Sequence, residues 1–145
     1  MTDYSEAKVW INLAERDYMV ASHLHTTLVP QPIEIICFHC QQAVEKALKA
    51  VLAYYEADIP KTHDIIALNK LCKEHTDEVQ VDVVVAEAMT NFAVVTRYVE
   101  DRRDYTEDTA KFALKQANLA LETVKQFLEK SEAEKENQEK NEQPN

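Results

Sequence analysis

The chain has 145 residues, Gly 0 and Pro 4, with 16 Lys and Arg against 26 Asp and Glu for a formal net charge of −10. That length suits one domain, and a chain without glycine lacks the tight turns of sheets and every glycine loop that cradles a phosphate, which excludes an all-β or doubly wound fold and the common nucleotide fingerprints. The acidic surplus excludes a broad nucleic-acid surface. No stretch approaches the ~20 apolar residues of a membrane span, and Met1–Ala7 has no signal-peptide pattern. Three cysteines, an odd number, point to thiols in a reducing compartment, so a cytoplasmic protein is expected.

Apolar residues at three- and four-residue steps predict a first helix from about Tyr4 to Leu28, its stripe on Ala7, Trp10, Leu13, Ala14, Ala21, Leu24 and Leu28. Pro30 and Pro32 stop it. A second helix, from about Ile33 to Glu56, is apolar nearly all round and is therefore expected at the centre. After Pro60, Thr62 followed by His63 and Asp64 reads as the cap of a short third helix reaching about His75. The fourth is expected from about Glu78 to Glu100, burying Val81, Val84, Val85, Ala88, Phe92, Val95 and Val99. Thr106, with Glu107 and Asp108 behind it, caps a fifth whose stripe runs from Ala110 to Leu128. The expected fold is all-α: an up-and-down antiparallel bundle of four long helices plus one short connecting helix, occupying residues 1–130. From Glu129 the chain has Ala133 as its single apolar residue before Asn145, so residues 131–145 are expected to form a frayed or disordered polar tail that folding does not need.

Four features could carry chemistry. Cys37 and Cys40, with Cys72 and His75, have the spacing of a Cys3His zinc set, but the first two lie within the apolar arc of the second helix and no turn shapes a site, so core thiols and no metal are the preferred reading. Asp17 falls in the middle of the first helix's stripe and needs a partner, for which His39, Lys46 and Arg97 are the candidates. His39, Gln42 and Lys46 share one face of the second helix. On the fourth, Val83, Ala86, Thr90 and Val94 form a second strip of small and β-branched residues, which predicts a two-fold homodimer through that helix.

The run Phe38-His39-Cys40-Gln41-Gln42-Ala43-Val44-Glu45-Lys46-Ala47-Leu48-Lys49-Ala50, then Pro60-Lys61-Thr62-His63-Asp64-Ile65, then Arg97-Tyr98, resembles the HEPN domain family, from about Tyr4 to Leu128. The resemblance implies a dimeric helical bundle associated with nucleotide or RNA binding, often beside a small nucleotidyltransferase, and in many members a metal-independent ribonuclease. Those ribonucleases carry an Arg-x4-6-His motif late in the bundle. Here Arg97, Arg102 and Arg103 are the late arginines and no histidine follows His75, so the motif is absent where it belongs. Arg16 and His23 match its spacing, but on the first helix away from the apolar stripe, where two exposed polar residues need no chemistry to explain them. Val99 also stands where related sequences often have Pro.

The favoured expectation is a binding module without a cofactor, in which His39, Gln42, Lys46, Lys61, His63 and Arg97 form a polar, locally basic recess for a phosphate-bearing ligand. One alternative is a ribonuclease pairing His39 or His63 with Arg97. Another is an interaction subunit of a nucleotidyltransferase that does no small-molecule chemistry itself.

Overall fold

The computed structural model describes residues 2–93 and 105–142. The described residues form five helices and no strand: α1 (Tyr4–Thr27), α2 (Ile33–Tyr54), α3 (Ile65–Lys73), α4 (Val83–Phe92) and α5 (Glu107–Glu142). The helix α2 packs against each of the other four. Its all-round apolar surface requires that position, and Ile36, Cys37, Val44, Leu48, Val51 and Leu52 are all buried. α1 lies antiparallel to it, tied at one end by the Asp3 N–H donating to the Tyr54 carbonyl at 2.7 Å. α1 and α5 close the far side with small residues, Ala7, Ala14 and Ala21 facing in from one and Ala110, Ala113 and Ala117 from the other. Ile11 is buried where the expected stripe has Trp10 and Leu13, both of which are half-buried, while Leu28 is exposed.

Without glycine, α2 still ends in a left-handed residue. Glu56 has φ 53, its N–H donates to the Ala53 carbonyl, and the Ala57 N–H reaches back to the Leu52 carbonyl. This pair of bonds is a Schellman cap, in which a non-glycine residue costs about 1–2 kcal/mol.

Three boundaries differ from expectation. α3 is capped by Asp64, whose carboxylate accepts from the Ala67 N–H at 3.2 Å, while Thr62 accepts from the Asp64 N–H just before it. α4 begins at Val83 because Asn69, itself buried, holds Val81 in an extended link: its amide donates to the Val81 carbonyl at 3.0 Å and its Oδ1 accepts the Val81 N–H at 2.9 Å. Asp82 then caps the helix at the Val84 and Val85 N–H groups. Finally, α5 continues to Glu142 through the stretch expected to be frayed or disordered. Residues 129–142 contain no Gly, Pro or β-branched residue and simply propagate a helix already nucleated, which costs far less than starting one. Lys135 Nζ also contacts Thr2 Oγ1 at 2.8 Å.

The face of α4 differs as well. Ala86, Met89 and Phe92 turn inward, and Thr90 takes the first N–H of α3, from Ile65, at 3.0 Å while donating to the Ala86 carbonyl. Ala86 and Thr90 therefore do not belong to an exposed strip. Val83 and Val84 face solvent, 65% and 74% exposed, so Val84 is not the core residue its spacing suggests. Val94, Val95, Arg97, Tyr98, Val99, Arg102 and Arg103 lie outside the described residues.

Candidate functional site

Two polar clusters are built on α2, each pairing one carboxylate with one His and one Lys. In the first, Asp17 of α1 points into the α1–α2 seam. Its Oδ1 lies 2.9 Å from His39 Nδ1 and its Oδ2 lies 2.5 Å from Lys46 Nζ. Two of the three partners expected for Asp17 are thus in place, supplied by residues two helical turns apart on one face of α2. The side chains are 13%, 27% and 24% exposed for Asp17, His39 and Lys46, so this cluster is half-buried rather than sealed. An ionised carboxylate only accepts hydrogen bonds, which puts the proton of the contact on Nδ1 and leaves Nε2 as the ring's remaining polar atom. The ring is further set edge-on to Phe38, centroids 5.4 Å apart.

The second cluster centres on Glu45. Lys49 Nζ contacts Oε2 at 3.1 Å, and His63 Nδ1 contacts Oε1 at 2.6 Å from the loop before α3. Gln41 adds a third donor to Glu45 at 3.4 Å and also bonds the His63 carbonyl at 2.9 Å. Here Glu45 and Lys49 are buried and His63 is 65% exposed. Lys49 also lies over the Trp10 ring, 5.8 Å from its centroid. Glu45, Lys49 and Gln41 were not among the expected site residues. Their signal in the sequence is the i, i+4 series of polar residues inside a helix otherwise apolar all round, where each charge must find a partner.

Gln42, at helical spacing from His39 and Lys46, donates to Gln41 Oε1 at 2.6 Å. Of the expected recess, the structure brings His39, Lys46 and Gln42 to one face of α2, with Asp17 beneath. It places His63 in the other cluster and Lys61 exposed on the adjoining loop. Arg97 falls outside the described residues.

The cysteines do not converge with His75. Burial pushes the thiols of Cys37 and Cys72 up to about 12 and raises Cys40 as well. Cys72 Sγ donates to the Leu48 carbonyl at 3.4 Å, and His75 stacks on Tyr55 with ring centroids 4.9 Å apart. Among the described residues no group of three or more His, Cys, Asp or Glu side chains could hold a metal ion. Arg16 and His23 are both exposed on α1. No helix among the described residues is long and apolar enough to cross a membrane.

The helical arrangement is similar to two solved structures. One is TT1696 from Thermus thermophilus, 25% identical, with a TM-score of 0.68, covering 83% of this chain and 96% of that one. The other is ST0689, an archaeal HEPN homologue, 24% identical, with a TM-score of 0.60, covering 84% and 97%; at that identity it speaks to the fold alone. No curated protein matches the chain. The HEPN domain model matches residues 7–131, which takes in all of α2, both polar clusters and most of α5: the chain belongs to the HEPN domain family.

Proposed function

We propose that this HEPN domain is a binding module for nucleotide or RNA, and that the ligand sits on the Asp17–His39–Lys46 cluster. The observation that carries the reading is the state of that cluster: a histidine oriented by a carboxylate and a lysine beside it, both partly open to solvent. Lysine supplies charge for a phosphate, Nε2 of His39 supplies a directed contact to a sugar hydroxyl or base, and Gln42 adds amide hydrogen bonding on the same face. Lys61, exposed on the loop that carries His63, is open to a longer ligand. The low number of cations suits a small or single-stranded ligand better than a long duplex.

Calorimetry of the full chain against mononucleotides and a short RNA tests this. Wild type gives measurable heat, and His39→Ala or Lys46→Met abolishes it while the helical circular dichroism is kept. Absence of heat at millimolar ligand rejects the reading.

One observation favours a second reading, a metal-independent ribonuclease. An imidazole held at Nδ1 by a carboxylate is the arrangement of a general base, and a ribose 2′-hydroxyl is a suitable proton donor to its Nε2. Labelled RNA incubated in EDTA distinguishes the two. Cleavage that disappears in His39→Ala makes the protein an enzyme; intact RNA leaves it a binding module.

As partners we propose a second copy of the chain and, from the family, a small nucleotidyltransferase. Self-association is supported by Val83 and Val84, exposed at the start of α4, and by Leu119, 58% exposed, which lines a groove with Val81 and Val85. Light scattering of wild type and of the Val83→Glu, Val84→Glu double variant checks this: a dimer mass that falls to monomer is the expected result.

A further inference from the structure

The Asp17–His39–Lys46 cluster sets one fixed negative charge against one positive charge, and that balance decides which phosphates it accepts. An ammonium has three N–H donors, and the contact with Asp17 Oδ2 at 2.5 Å uses one. Lys46 can therefore touch a phosphate without leaving Asp17. A phosphate oxygen in contact with Nζ then lies within about 6 Å of the carboxylate, roughly two hydrogen-bond lengths away. Asp17 is 13% exposed, so water screens that repulsion poorly.

No other cation contacts these three side chains among the described residues. His39 adds no charge while neutral, because Asp17 holds its Nδ1 proton and Nε2 can only accept. The second charge of a terminal phosphomonoester thus meets no net attraction at the cluster, yet its dehydration still has to be offset. A singly charged phosphodiester avoids most of that cost.

We propose that Asp17 is a specificity residue that makes this site select internal phosphodiesters over terminal phosphomonoesters, so that the ligand is a linkage within an oligonucleotide rather than a free mononucleotide. The proposal rests on the reading of the cluster as the ligand seat. Asp17 need not touch the ligand: it acts by partly neutralising Lys46 and by repelling the second phosphate charge.

The test uses two probes that share base and sugar and differ by one charge, adenosine 5′-monophosphate and its methyl ester, titrated into the full chain at pH 8.5. Wild type is expected to bind the methyl ester about tenfold more tightly, the size of one poorly screened charge contact. Asp17→Asn, which keeps the shape and an acceptor oxygen, removes or reverses that preference, Asp17→Glu keeps it, and Lys46→Met weakens both probes, the doubly charged monophosphate more. A purely structural role for Asp17 would lower both affinities together and leave their ratio unchanged. Equal affinities in wild type, or an unchanged ratio in Asp17→Asn, overturn the proposal while the site stands. The wild-type ratio needs no variant to fold. Absence of binding by either probe and by a short RNA instead rejects the site itself.

Discussion

The two clusters on α2 use the same three kinds of side chain and come out differently. Around Glu45 the carboxylate receives three donors, from Lys49, His63 and Gln41, and both it and the lysine are removed from water. Around Asp17 the carboxylate receives two, and the lysine and histidine remain about one-quarter exposed. A buried, fully satisfied carboxylate has nothing left to offer a ligand, and its value lies in holding the 57–64 loop against α2 through His63. The half-open cluster keeps donors and an acceptor that a ligand can reach. Residue type therefore does not separate the latch from the binding seat; depth and the number of donors do.

The largest effect that follows is at Glu45. Glu45→Ala leaves Lys49 buried without its counter-ion and is expected to cost about 3–5 kcal/mol in urea unfolding. Replacing Glu45 by Ala and Lys49 by Met together should recover most of that loss, because no unpaired charge remains. A single-variant cost below about 1 kcal/mol would place the cluster among weak surface pairs and break the comparison.

Next in size is Asp17→Ala, expected to cost about 1–3 kcal/mol, since Lys46 can turn toward water as Lys49 cannot. Lys46→Met should cost less than about 1 kcal/mol and act on ligand binding instead. His63→Ala then sharpens the division. Its ring is mostly exposed, so a loss of about 1 kcal/mol is expected, with faster hydrogen exchange in the loop and unchanged nucleotide affinity. If His63→Ala abolishes binding as completely as His39→Ala, the two clusters are one site.

Much of this was legible in the residues. The central position of α2 follows from its all-round apolar surface, and the partners of Asp17 follow from the cost of a lone carboxylate in an apolar stripe. The Glu45 cluster was harder to read because His63 comes from a loop, and nothing in helical periodicity brings position 63 beside position 45. The start of α4 escaped for a similar reason. Val81 continues the helical spacing of the valines that follow it, and only the distant Asn69 side chain, buried and bonded to both backbone groups of Val81, holds that stretch extended. The continuation of α5 escaped because order there does not depend on an apolar face. A polar helix grown from a packed one needs only good propensity and a few contacts such as Lys135 to Thr2.

The smallest effect concerns the Gln42–Gln41 amide pair. Gln42 shares a face of α2 with His39 and Lys46 and donates to Gln41, and Gln41 in turn bonds Glu45 and the His63 carbonyl, so one amide pair runs from that face to the latch. If that link carries strain from one cluster to the other, Lys46→Met and His63→Ala will not be additive. Residues without a shared partner normally add within about 0.3–0.5 kcal/mol, and the coupling through a single neutral hydrogen bond is expected at the top of that range. Gln42→Ala removes that bond and should bring the coupling to zero while leaving each single effect as it was. A coupling that persists without Gln42 would mean that the α2 backbone, and not the amide pair, transmits between the two sides, and the latch and the seat would then respond to ligand as a single unit.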